Sequence, residues 1–226
     1  MVTISVVNAI WGERYHQFIP QWWAGVESLE REPDEIVIVV ANDTEKAIKN
    51  SVPKRFASKT NIIVSNQEGF NAYWDEAFSA VTGDWIVGCC VDDYFLPEAL
   101  NEIENAEAAG CELICDSVRL HPSGRIFEGV WDSERIYTTL TMPGVAPMTK
   151  ALYDRLGGFD YDIYFSDWGF YIKAASQGVK VHSTNIIRIV YDEGLTHQTM
   201  SGPNKPDDVE RVAHAQIKEL AQRLRQ

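Results

Sequence analysis

The chain is short of positive charge. Its 226 residues carry 20 Lys and Arg against 33 Asp and Glu, a formal net charge of −13. A nucleic-acid backbone or an anionic membrane surface needs a basic patch, so neither is expected as a partner. A phosphorylated ligand stays open if a divalent cation stands between it and the acids. Cysteine is sparse as well: Cys89, Cys90, Cys111 and Cys115. Cys89 and Cys90 lie inside an apolar run and read as small buried hydrophobes. Cys111 and Cys115 are too loosely spaced for a zinc module. Reduced thiols in a cytoplasmic protein are therefore expected. No apolar run approaches the ~20 residues of a membrane span. The opening MVTISVVNAI has neither the basic start nor the apolar stretch of a secretory leader. The chain also lacks a Walker loop, a Gly-rich dinucleotide fingerprint, an HExxH helix and a G-x-S-x-G elbow.

What is present is an ordinary globular composition, 45% hydrophobic and 23% charged, long enough to bury a sizeable core. Residues 3–9 read as a buried strand, and 35–41, EIVIVVA, as a β-branched strand apolar on both faces. Residues 61–65 and the run DWIVGCCV give two more strands. Helical spacing marks Phe18, Trp22, Val26 and Leu29, and again Phe70, Tyr73, Ala77, Phe78 and Val81. Strand and helix thus alternate through the first hundred residues, which predicts an α/β fold with a mostly parallel central sheet flanked by helices. The second half is less regular. CELICDSVRL and GRIFEGVW read as strands joined by HPSG, TKALYDRLGGFD as a helix closed by Gly157 and Gly158, and VKVHS and NIIRIVYD as two short strands. DWGFYIKAASQG reads as a helix, and the polar stretch EGLTHQTMSGPNKPDD as a loop. From Pro206 onward Val209, Val212, Ile217, Leu220 and Leu224 mark one face of an amphipathic helix. One domain over 1–205 with the helix of 206–226 packed upon it is expected.

Ligands of open parallel sheets gather beyond the carboxyl ends of the strands. Asn8, Asn42 with Asp43, and Asp92 with Asp93 stand at those ends. Adjacent carboxylates repel one another, and a divalent cation offsets that repulsion. A turn or a cap on a helix opening at Pro97 would be an equally ordinary use of the pair. Spacing alone leaves both readings open.

EIVIVVAND, then GFNAYWDEAFSAVTGDWIVGCCVDDYFLPEAL, then GGFDYDIYFSDWGFYIKAASQGVKV resemble, in that order, the family 2 (GT-A fold) glycosyltransferases across about residues 3–200. The resemblance implies a nucleotide-sugar donor, a glycan or other hydroxyl acceptor, and Mn²⁺ or Mg²⁺ as cofactor. By position it implies Asp93 as the metal-binding acid and Asp92 as its support or a ribose contact. It implies Asp167 as the general base of an inverting transfer, and His197 as a late metal or diphosphate ligand. A donor pocket would take Asn8, Trp11, Asn42, Asp43 and Asp75, and Trp168 would line the acceptor site. Three departures stand out: Cys90 occupies the position of the family's first acid, Ser166 that of a glutamate, and Asp75 that of an asparagine. They motivate an alternative, a catalytically degenerate protein that binds a nucleotide sugar without turning it over. A sugar-nucleotide nucleotidyltransferase would need a Gly-rich, basic signature near the first strand, and NAIWGERYH does not supply one.

Overall fold

The computed structural model of the chain describes residues 2–67, 69–160, 162–194 and 208–225. The strands are β1 (Ile4–Ile10), β2 (Glu35–Val40), β3 (Thr60–Val64), β4 (Trp85–Gly88), β5 (Tyr94–Phe95), β6 (Leu113–His121), β7 (Ile126–Phe127), β8 (Met148–Thr149) and β9 (Val181–Asp192). The helices are α1 (Ile19–Ser28), α2 (Glu45–Ser51), α3 (Phe70–Ser79), α4 (Ile103–Ala108), α5 (Lys150–Arg155), α6 (Ser166–Ser176) and α7 (Val209–Leu224). All the strands share one sheet in the order β3-β2-β1-β4-β8-β6-β9-β5, with β7 paired to β6.

The first four strands are parallel neighbours. Alternate residues of a strand face opposite sides, and both sides are covered here. Val7, Ala9, Val37 and Val39 join Tyr73, Trp74, Ala77 and Phe78 of α3 in one core. Val6, Ile10, Ile36 and Ile38 join Trp22, Trp23 and Val26 of α1 in the other. Burial on both faces is why these strands read as continuous apolar runs.

Beyond β4 the sheet changes character. β8 runs antiparallel to β4, and β6 antiparallel to β8. β9 lies parallel to β6, and β5 antiparallel to β9 at the edge. The segments VKVHS and NIIRIVYD are one continuous strand, β9, that absorbs register shifts between Cys115 and Val118 of β6. Only Ile126–Phe127 of GRIFEGVW pairs. The helix expected through Phe18, Trp22, Val26 and Leu29 is α1, preceded by a 3₁₀ turn, Glu13–Phe18; its proline falls in the first turn, where it forfeits no helical hydrogen bond. β4 ends at Gly88, so Asp92 and Asp93 stand in a turn beyond it, with the Asp93 amide donating to the Cys90 carbonyl at 3.1 Å. No helix opens at Pro97. Tyr94–Phe95 instead form the edge strand β5, and α4 begins at Ile103. The cap reading of the acidic pair therefore has no helix to cap. Ile217 and Leu220 of α7 sit in the same core as Trp168 and Phe170 of α6.

Candidate active site

A cavity of about 270 Å³ opens at the carboxyl end of β4. Asp93 and Asp167 both line it. The two residues come from different elements. The turn after β4 carries Asp93, and the first turn of α6 carries Asp167.

Asp93 is 3% exposed, and its Oδ1 accepts the Asp192 backbone N–H at 2.8 Å. Burial, and then the charge of Asp92, push its carboxyl well above the usual range, while the Asp192 amide and the Arg188 guanidinium pull it back. Side-chain donor atoms of Cys90, Asp92 and Asp93 all lie within 4.8 Å of one another. Two carboxylates suit a hard cation such as Mg²⁺ or Mn²⁺, and the thiol adds a softer donor. The donor set therefore fits a divalent ion, whose charge would relieve the repulsion between the acids.

Asp167 is half-buried. Its Oδ1 accepts the Trp168 amide at 2.8 Å. Burial raises its carboxyl above the ordinary value of 3.8, opposed by the amides of Trp168, Asp167 itself and Val145. A Cβ at Gly144 would stand 3.0 Å from Oδ2 of Asp167. Glycine there lets the 143–146 segment close against the carboxylate. That segment is tied down from behind. The Tyr171 hydroxyl donates to the Pro143 carbonyl at 2.8 Å and accepts the Ala146 amide at 2.8 Å.

The other expected site residues are dispersed. Trp11, just past β1, packs edge-on against Phe70 at 4.6 Å, and Phe70 lines the cavity. Asn42 and Asp43 are exposed on the turn after β2, where Asp43 Oδ1 accepts the Thr44 hydroxyl at 3.0 Å. Asn8 lies within β1 at 0% exposure, outside the cavity, and its side-chain amide has no hydrogen-bond partner among the described residues. Asp75 also stays out of the cavity wall. Its Oδ1 accepts the Tyr153 hydroxyl and the Phe159 amide, bracing the GGFD turn, where Gly157 and Gly158 adopt φ of 76° and 72°. Trp168 is 2% exposed; its indole N–H donates to the Ile136 carbonyl at 2.6 Å and its ring meets His214 edge-on. Neither of its faces is open to stack on a sugar. His197 lies outside the described residues.

Three contributors escaped the sequence reading: Gly144, Arg188 and Asp116. Arg188 and Asp116 left a trace in the sequence. A lone base in NIIRIVY and a lone acid in LICDSV interrupt apolar strands, and the two charges meet at 2.6 Å.

No family model matches the chain, and no curated protein matches it. Solved structures do. TarS 1-349 from S. aureus in complex with UDP-GlcNAc superposes with a TM-score of 0.64 at 17% identity, over 84% of this chain and 58% of that one. The same protein in complex with UDP gives 0.65 at 16%, over 98% and 70%. The mannosyltransferase PcManGT from Pyrobaculum calidifontis, in complex with GDP-Man and Mn²⁺, gives 0.65 at 14%, over 99% and 74%. This chain thus spans little more than half of the first of them. The shared architecture is the GT-A fold, a mostly parallel sheet flanked by helices.

Proposed function

We infer that this protein is a metal-dependent glycosyltransferase of the family 2 type, moving a hexosyl group from a nucleotide sugar to an acceptor hydroxyl with inversion. The observation that carries the reading is that Asp93 and Asp167 line one and the same cavity. Residues 1–205 would form the transferase unit, with the 206–226 helix packed on it. Four free thiols accord with action in the cytoplasm.

In this reading Asp93, with Asp92 and Cys90, would hold Mn²⁺ or Mg²⁺. Bound there, the cation would stabilise charge on the departing nucleoside diphosphate. Asp167 would take the proton from the acceptor hydroxyl as that oxygen attacks the anomeric carbon. Burial suits it to this work, because a raised carboxyl is a stronger base once ionised. Trp11 and the exposed turn of Asn42 and Asp43 stand at the ends of β1 and β2, where the nucleotide base would lie.

One observation favours the degenerate alternative. Ser166, which precedes the base, spends its hydroxyl on Asn71 Oδ1 at 2.9 Å, so no second acid assists Asp167 from that position. Calorimetric titration with UDP, GDP, CDP and dTDP, with and without Mn²⁺, tests the reading. Metal-dependent binding of one nucleotide, abolished in Asp93→Ala, is expected. Donor binding retained but turnover lost in Asp167→Asn would separate an enzyme from a binding protein. No binding of any nucleotide to folded protein would overturn both.

A further inference from the structure

A cation is buried behind the lining of the cavity. Arg188, on β9, is 0% exposed. Its Nε donates to Asp116 Oδ2 on β6 at 2.6 Å. Its two terminal nitrogens reach main-chain carbonyls: Nη1 donates to Gly88 at 2.8 Å and Nη2 to Gly144 at 3.3 Å. A buried ion pair is poor evidence for stability by itself, since desolvation offsets most of the attraction. Asp116 Oδ1, moreover, is buried without a hydrogen-bond partner among the described residues. The placement of the two carbonyls is more informative than the pair.

Gly88 and Gly144 both line the cavity. Gly88 ends β4, just before the turn that carries Cys90, Asp92 and Asp93. Gly144 abuts Asp167 and precedes Val145, which holds φ of 51°. A β-branched residue in the left-handed region is strained, and such a conformation persists only where its surroundings over-determine it. Tyr171 grips the segment at Pro143 and Ala146, and Arg188 grips it at Gly144. One planar guanidinium thus ties two segments of the cavity lining together, a task for which a lysine lacks the fork.

We propose that Arg188, oriented by Asp116, is a positioning residue for the transfer reaction: it fixes the spacing between the acid-bearing turn after β4 and the Pro143–Ala146 wall that packs on Asp167. This rests on the reading of Asp93 and Asp167 as parts of one active site. Arg188 itself need not touch substrate.

Two variants test it. Arg188→Lys keeps the charge and loses the bridge. The double variant Asp116→Leu with Arg188→Met removes both charges and keeps the volume, a replacement that buried pairs commonly tolerate. Each is measured for metal-dependent nucleotide affinity, for kcat and KM, and for hydrogen exchange at the Ala146 amide. The expected result is unchanged nucleotide affinity with kcat lowered by about 10²-fold, the scale of a misplacement near 1 Å, together with faster exchange at Ala146. A folded double variant with wild-type kcat would overturn the proposal. So would a double variant that does not fold, or one in which affinity and kcat fall together, since either assigns the pair to general integrity. Wild-type protein that binds no nucleotide would instead overturn the reading of the site and this inference with it.

Discussion

Gly88 and Val145 meet in the lining of the cavity, and each constrains the other. A Cβ added at residue 88 would collide with the Val145 side chain and come within 3.1 Å of the Trp74 ring. Val145 cannot simply retreat, because its backbone stands at φ 51° between a carbonyl held by Arg188 and an amide held by Tyr171. Gly88→Ala is therefore expected to cost about 1–3 kcal/mol, the usual scale of overpacking. A thermal melt against wild type checks it, and an unchanged melting temperature would show that the Val145 segment yields.

Asp167 carries the pH prediction. A general base works only when ionised, and burial raises this carboxyl above 3.8. Transfer should therefore weaken as pH falls through a midpoint above the ordinary carboxylate value, with full activity on the alkaline side. Asp167→Asn should lower kcat by about 10²–10⁴-fold, the scale of a lost acid–base group, and should abolish that acidic limb. A variant that keeps both rate and limb would remove Asp167 from the mechanism.

The parallel half of the sheet was legible because its strands are buried on both faces, and such strands advertise themselves as apolar runs such as EIVIVV. The half beyond β4 was not. β5, β7 and β8 are two residues each, too short for any periodicity, and β5 and β8 pair through contacts distant in sequence. Asp93 and Asp167 stood out because acids at strand and helix ends are conspicuous against the family pattern. The packing of Asp75 and Trp168 was not legible, for a physical reason. Their roles follow from partners far along the chain, Tyr153 for one and the Ile136 carbonyl for the other. The Arg188 clamp depends on two main-chain carbonyls, which no side-chain pattern reports.

Asp75 yields a prediction that separates bracing from binding. Its carboxylate holds the Tyr153 hydroxyl, and Tyr153 packs among Phe78, Phe159 and Phe170. Removing one partner strands the other, at roughly 1–3 kcal/mol for a buried polar group. Asp75→Ala should therefore lower the denaturation midpoint, and Tyr153→Phe should recover part of the loss in the double variant. Wild-type stability combined with weakened nucleotide binding would move Asp75 into the donor pocket.

Asp93 should let the protein be stabilised either by removal of its charge or by addition of a cation, but not by the second once the first is made. Its folded carboxyl lies above the unfolded value of 3.8, for reasons of burial and of Asp92 beside it. The native state thus holds a proton that the unfolded chain has released, so stability is fullest below that value and falls as pH rises toward the folded one. Asp93→Asn keeps a neutral acceptor for the Asp192 amide and removes the titration. Without metal, the variant should melt with wild type in acid and above it near neutrality. Mn²⁺ with a cognate nucleotide at a hundredfold excess over its dissociation constant should add about 2.7 kcal/mol to the wild type, and little to the variant. Melting curves across pH, with and without ligand, read both effects on the same samples. If the variant gained as much from Mn²⁺ and nucleotide as wild type does, Asp93 would not be a metal ligand, and its burial would need another explanation.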